Sequence, residues 1–338
     1  MKNLEMFALR LFLFAAAIAA GAGAAAAEVA QVRIAKQYGI SYMPLMIMQA
    51  ERLLEKRARA AGLGEVTVDW ITFAGPAAMN DGLISGSVDF ASAGVGPLVT
   101  LWAKTRGTPN EVRAVAAMSS YPLFLLTRNP RVRSIGDLTD EDRIALPAVK
   151  ISLQAVVLQM AAARLYGDKN FAKLDHLTVT MSHADASISM LSGKGPINGH
   201  FTSPPYQDRQ LKDAAIHKLL STEDVLGVGT TVGMMNATNR FRLENPRIYA
   251  AFMAAYQEAI DILNRDKKAA AEVYIRLTNE KLSSASEITD MLNAAEFSVT
   301  PRNTMKLVKF MIEVGAIKAN PGSWKDYFFP EAHAFAGS

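Results

Sequence analysis

Trp70-Ile-Thr-Phe-Ala-Gly-Pro-Ala-Ala-Met-Asn-Asp-Gly-Leu-Ile-Ser-Gly-Ser-Val-Asp-Phe-Ala-Ser-Ala-Gly-Val-Gly-Pro97 decides the architecture. Period-2 apolar runs flank a short helical run, so the stretch reads as strand end, glycine turn, helix, tight turn, strand, and a second glycine turn that opens another helix. Such βαβ succession belongs to a parallel sheet. Gly75-Pro76 and Gly96-Pro97 each place a proline at an expected first helical position. Two helix N-termini then point their N–H groups beyond the carboxyl ends of the strands, a setting that suits a small anion.

The pattern continues on both sides. Upstream, Val32–Gln37 alternates as a first strand, Gly39–Pro44 reads as its loop, and Pro44 opens one helix that carries Leu45, Met48, Gln49, Arg52, Leu53 and Lys56 before Gly62 and Gly64 stop it. Val66–Ile71 is the second strand. Downstream come a helix around Leu98–Lys104, a strand Val112–Met118, and the apolar run Tyr121–Thr127, read as a strand leaving the first domain. A second βα series follows: a strand at Arg143–Pro147, a helix at Ile151–Tyr166, a strand at His176–Thr180, a helix at Ala184–Leu191, a strand at Gly199–Thr202, and a helix opened by Pro204-Pro205. Thr230–Asn236 returns as a strand, and the rest reads as helices over Pro246–Asn264, Asp266–Leu277, Ser284–Asn293 and Asn303–Val314. Phe252, Tyr256, Ile260 and Leu263 form one apolar face for the core. Leu83–Ser92 and Leu191–Ser203 echo one another through Ser-Gly and Phe-x-Ser, which suggests one equivalent pocket loop per domain.

The 338 residues suit two domains, and 50% hydrophobic with 20% charged residues suits a globular protein. Lys2 and Arg10 precede the apolar run Leu11–Ile18, and an Ala/Gly tract ends in Ala25-Ala26-Ala27 before Glu28. This is the pattern of a secretory signal peptide over residues 1–27, with an apolar run shorter than the ~20 residues of a membrane span. Cleavage there leaves 34 basic and 31 acidic residues, a formal charge of +3. Without a block of Arg/Lys interleaved with aromatics, a nucleic-acid groove has no support. The absence of cysteine removes disulfides, thiolate nucleophiles, cysteine zinc sites and a lipid-bearing N-terminal cysteine. The expected product is exported, soluble and not lipid-anchored.

Catalytic motifs are missing: there is no G-x-S-x-G, G-x-x-x-x-G-K-[ST] or H-E-x-x-H. None of the five histidines, His176, His183, His200, His217 and His333, has the helical spacing of a metal pair, so no metal and no cofactor are expected. His183 and His200 fall in expected strand-to-helix loops and are candidates to donate a hydrogen bond to an anion. Asp81, Asp89, Asp137, Asp140, Asp142 and Asp185 read as caps, turns or solvated faces rather than paired catalytic acids.

Taken in order, the leader, Ile34-Ala-Lys-Gln-Tyr-Gly39, Leu83-Ile-Ser-Gly-Ser-Val-Asp-Phe-Ala91, Ser134-Ile-Gly-Asp-Leu138 and Met190-Leu-Ser-Gly193 resemble the nitrate/sulfonate/taurine family of periplasmic substrate-binding proteins of ABC importers. That family also includes binders of the thiamine pyrimidine precursor. The resemblance implies an α/β protein of the type II periplasmic binding fold, with two lobes joined by two crossing strands, each a mixed or parallel sheet flanked by helices. Lobe 1 would be residues 28–125 plus 228–338 and lobe 2 residues 126–227. It implies no enzymatic activity, a monomer, and permease subunits as partners. The first-lobe wall of the ligand cleft would comprise Tyr38, Tyr42, Phe73, Gly75, Ala93, Gly94, Ser119 and Tyr121. The second-lobe wall would comprise Ser152, Gln154, His183, Thr202 and Ser203. Ile197-Asn198-Gly199 departs from the Val-Asp-Ala usual after the second Ser-Gly turn, and Lys150 is the one cation placed in a cleft loop. The implied ligand is a small organic anion: an aliphatic sulfonate, an aromatic carboxylate or nitrate. A thiamine-precursor pyrimidine, and an enzyme of the pyrimidine-synthesis type sharing this fold, are the alternatives.

Overall fold

Two β-sheets organise residues 27–338, the part of the chain that the computed structural model describes; the leader expected over 1–27 lies, apart from Ala27, outside the described residues. Strand β1 (Gln31–Lys36) buries Val32 and Ile34 by alternation. After it come α1 (Met43–Glu51) and α2 (Leu53–Ala60), where the sequence predicts a single helix. Arg52 breaks it by adopting the left-handed region (φ 52°), and the chain re-aims so that both halves lie against one long helix nearer the C-terminus. The 3.6-residue spacing runs on through a one-residue break, so periodicity cannot reveal it.

The deciding stretch folds as β2 (Thr67–Thr72), α3 (Pro76–Ser85), β3 (Phe90–Ala93) and α4 (Val95–Thr105). Pro76 occupies the first position of α3 as expected. Pro97 does not open α4: the helix starts two residues earlier, with Gly94 as its cap and the first bond from Leu98 N–H to Gly94 O at 3.2 Å. Proline is tolerated at the third position because the N–H groups of the first turn have no acceptor within the helix.

Strand β4 (Val112–Ser120) ends the first run, and residues 121–123 carry the chain to the second sheet, which begins with β5 (Phe124–Thr127). There follow β6 (Ile144–Leu146), α5 (Leu153–Tyr166), β7 (Thr178–Thr180), α6 (His183–Ser192), β8 (Gly199–Phe201) and α7 (Tyr206–Gln210). The edge strand β9 (His217–Ser221) and α8 (Thr222–Leu226) precede the return. Strand β10 (Thr231–Thr238), buried throughout, brings the chain back between β3 and β4. Helices α9 (Asn239–Glu244), α10 (Pro246–Arg265), α11 (Lys267–Thr278) and α12 (Ala285–Ala294) follow; α9 packs on β10, α10 on α1 and α2, α11 on α1 and α10, and α12 on α11. The C-terminal region is not wholly helical, because β11 (Glu296–Phe297) pairs with β4 before α13 (Thr304–Glu313).

The first sheet has the order β11-β4-β10-β3-β1-β2 and the second β7-β6-β8-β5-β9. In each, three parallel strands carry the helices, and the strands that change sheet, β10 and β5, run antiparallel to them. Phe252, Tyr256, Ile260 and Leu263 form the buried face of α10, as expected: Phe252 stacks on Phe90 with centroids 3.8 Å apart, and Tyr256 Oη donates to Ala117 O at 3.0 Å. No helix among the described residues is long and apolar enough to cross a membrane.

Candidate functional site

A cavity of about 50 Å³ lies between the sheets, at the carboxyl ends of their parallel strands. Four helix N-termini meet around it. Pro76 begins α3, Gly94 caps α4, Ser152 caps α5, and His183 is the first residue of α6. Each brings N–H groups without an intrahelical acceptor and the positive end of a helix dipole. Two of these helices come from the first sheet and two from the second. Among the described residues, no Asp, Glu, Lys or Arg lines the cavity.

Of the residues expected at the site, Tyr38, Tyr42, Gly94, Tyr121, Ser152, Gln154, His183 and Ser203 are brought together on its wall. Five stand apart from it. Phe73 packs against the core, Ala93 is enclosed within β3, and Thr202 is fully buried with its N–H donated to Phe124 O at 2.9 Å. Ser119 spends its hydroxyl on Ser41 at 2.8 Å, so it supports the wall from behind. Gly75 serves the site differently: a Cβ there would sit 2.7 Å from Pro147 O, so the first lobe meets the second main chain to main chain. Gly96 does the same against Ile151 O, again at 2.7 Å.

Lys150, expected in a cleft loop, is exposed and does not line the cavity. His200 is fully buried in β8 and reaches the cavity only through His183. The echo between Leu83–Ser92 and Leu191–Ser203 is a true structural repeat, since Gly86 (φ 72°) and Gly193 (φ 65°) each end a helix that feeds a parallel strand. Its Ser-Gly halves nevertheless lie at the amino ends of β3 and β8, away from the cavity; only the ends beyond the strands, Gly94 and Ser203, reach it.

Gln37, Ser41, Pro147, Leu153 and Val232 complete much of the wall and were not singled out from the sequence. Gln37 and Ser41 share the loop of Tyr38 and Tyr42, so the loop and its tyrosines were legible from the sequence while its smaller inward-facing residues were not. Val232 depends on the register of β10, for which the sequence offers no signal.

Burial disfavours the charged forms of two histidines and three tyrosines at and behind the wall. Burial pushes the hydroxyls of Tyr42 and Tyr121 far above their ordinary value and that of Tyr206 up to about 12. Burial pushes His183 down to about 4, and His200, buried beside it, well below the ordinary imidazole value. Ser152 Oγ accepts from Ala155 N–H at 3.2 Å, which leaves its proton to donate elsewhere. The wall therefore offers hydroxyl, amide and imidazole donors and helix ends, with no formal charge.

The acidic residues serve as structure, as expected. Asp137 closes a capping box with Ser134, Asp185 caps α6 with Ser182, and Asp142 accepts from Asn129, Thr139 and Asn198. Among the described residues no group of three His, Asp or Glu side chains could hold a metal ion.

No family model matches the chain, and no curated protein matches it in sequence. Solved structures match in fold. The alkanesulfonate-binding protein SsuA from Xanthomonas axonopodis pv. citri, bound to MOPS, superposes with a TM-score of 0.65 at 20% identity, over 86% of this chain and 92% of that one. The periplasmic aliphatic sulphonate binding protein SsuA of Escherichia coli gives 0.63 at 16% identity, over 89% and 92%. The periplasmic nitrate-binding protein NrtA of Synechocystis PCC 6803 gives 0.60 at 14%, over 78% and 70%. This chain has the periplasmic binding protein fold, two mixed α/β lobes facing one cleft.

Proposed function

We propose that the protein is the solute-binding receptor of an ABC-type importer, that it captures a small organic anion between its lobes, and that it catalyses no reaction. The observation that carries this is the convergence of four helix N-termini on a cavity without a carboxylate. Such a site stabilises negative charge through dipoles and N–H groups and needs no counter-ion. The cavity, about 50 Å³, exceeds the ~10–15 Å³ that a single water needs, so it has room for a small polar group. The similar structures are named as binders of an alkanesulfonate, an aliphatic sulphonate and nitrate. A pyrimidine would call for a carboxylate partner, and among the described residues none lines the cavity.

In this reading the lobes are residues 28–125 with 228–338, and 126–227; residues 1–27 are a leader, and the mature protein works as a monomer in the periplasm with membrane permease subunits. Tyr38, Tyr42, Tyr121, Ser152, Gln154, His183 and Ser203 contact the ligand, with Gly94 giving its helix end. Ligand contacts to both lobes favour the closed form, and the shift they produce equals their differential affinity for it. Thermal-shift and calorimetric titration with ethanesulfonate, taurine, nitrate, benzoate and a 2-methylpyrimidine tests the proposal. A sulfonate or nitrate is expected to raise the melting temperature in a concentration-dependent way. A shift with the pyrimidine alone, or with none of them, overturns it.

A further inference from the structure

Behind the cavity wall, two imidazoles form a wire. His183 Nδ1 lies 2.9 Å from His200 Nε2, His200 Nδ1 lies 2.8 Å from Gln210 Nε2, and His183 Nε2, at the cavity, lies 3.3 Å from Gln154 Nε2. A neutral pair carries two N–H protons and can hold them in two registers. Either His200 donates to His183, which keeps its proton on Nε2 facing the cavity, or His183 donates to His200, whose Nδ1–H then needs an acceptor at Gln210. Gln210 Oε1 is buried with no partner, so turning that amide supplies the acceptor. A third state adds one proton. His183 becomes an imidazolium, donating through Nδ1 to His200 and through Nε2 into the cavity, while His200 donates through Nδ1 to Gln210 Oε1. In that state each ring nitrogen of the pair has a partner, provided that an acceptor stands in the cavity.

We propose that anion binding at this cavity takes up one proton into the His183–His200 pair, so that the receptor holds its ligand more tightly in mildly acidic than in alkaline medium. The step forms one N–H bond on the ring lone pair of His183 at the expense of a solvent proton; no other bond changes. This rests on the anion-receptor reading above and adds its regulation.

The groups around the pair support a proton only when an anion is present. His183 begins α6, so the positive end of that helix opposes its charge in the empty site. On α6 itself, Asp185 is engaged by the Ser182 cap. On α7, the Tyr206 ring lies 6.1 Å from that of His183, Asp208 is a carboxyl that burial holds toward its neutral form, and Arg209 is paired with Glu280 of the first lobe. Strand β8 contributes His200 itself and α5 contributes the uncharged Gln154; Tyr38, Tyr42 and Tyr121 face the cavity across the cleft. The empty-site value of about 4 for His183 fits this setting. An anion within ~4–6 Å raises such a value by about 1–3 units.

Calorimetry with ethanesulfonate and with nitrate, neither of which titrates above about pH 4, tests the proposal between pH 8 and pH 5. At each pH the titration is run in two buffers of different ionisation enthalpy, with circular dichroism confirming the fold. The affinity is expected to rise roughly 10- to 100-fold toward pH 5, as raising one group from about 4 to about 6–7 requires, with proton uptake approaching one per ligand. His183→Gln, which removes a ligand contact, is expected to bind more weakly at every pH and to lose both the pH dependence and the proton uptake. Affinity constant within twofold and no buffer dependence overturn the proposal and leave the receptor reading standing. A wild-type pH slope in His183→Gln moves the proton elsewhere and also overturns it. No binding of either anion at any pH removes the receptor reading, and this proposal with it.

Discussion

Asn236 lies fully buried in β10, and neither atom of its amide has a partner. A buried amide left unpaired costs about 1–3 kcal/mol, so Asn236→Leu, which keeps the shape and removes the polar atoms, is expected to raise stability by a similar amount. Urea unfolding measures it; a loss of stability would show that the amide is satisfied. Ser152 acts in the opposite sense. Its hydroxyl caps α5 and faces the cavity, so Ser152→Ala is expected to cost about 0.5–2 kcal/mol of stability through the lost cap and, separately, about 1–3 kcal/mol of anion affinity. Calorimetry showing unchanged affinity with reduced stability would leave Ser152 as a cap alone. The histidine pair makes the ligand-free protein acid-sensitive. The native pair binds fewer protons than the unfolded chain between about pH 6.5 and pH 4, so stability rises with pH across that window and is lost as pH falls through it. Replacing both rings with Gln is expected to flatten the profile in that range, as thermal unfolding at successive pH values would show.

At the scale of elements, the βα succession of Trp70–Pro97 was legible because a buried parallel strand and the helix that covers it impose different periods on the same chain. Where an element depended on one backbone angle or on a distant partner, the reading missed it. Arg52 splits α1 from α2 without disturbing the apolar spacing, and β11 is two residues long, existing only because β4 offers an edge. The site followed the same division. Loops at the carboxyl ends of strands could be named from sequence, since the fold places them at the cleft. Which side chain of each loop turns inward could not, so Phe73 and Thr202 were included and Gln37 and Val232 were not. The N-terminus of α3 offers a test. A side chain at position 75 collides with Pro147 O, which is main chain and cannot swing aside. Gly75→Leu is therefore expected to prop the lobes apart, weakening anion binding at least tenfold and enlarging the radius of gyration of the ligand-saturated protein in X-ray scattering. Unchanged binding and size would mean that the loop of Pro147 yields.

Across the whole molecule, the lobes are also joined by charge. Arg209 on α7 pairs with Glu280, just beyond α11, and donates to Ser283 Oγ at 3.0 Å, while Lys212 pairs with Glu287 on α12. Arg209 and Glu280 are nearly inaccessible, whereas Lys212 and Glu287 are exposed. Removing one partner of a buried pair strands the other, but only in the closed form, because opening returns both to water. Arg209→Ala is thus expected to weaken ligand binding about 10- to 100-fold, chiefly through faster release, while Lys212→Ala changes it little, as a surface pair of ~0–1 kcal/mol would. Stopped-flow dissociation distinguishes the two, and equal effects from both variants would place the latch elsewhere. The contacts at Gly75 and Gly96 carry a separate consequence. Because the lobes abut there through peptide groups rather than side chains, the fit of the closed rims does not depend on the identity of the residues that line the cavity. Ser152, Gln154 and the tyrosines can then be exchanged as a set while the closing surfaces keep their shape, which makes this chain a scaffold for redesign toward other small solutes: selectivity can be rewritten without relearning how to shut.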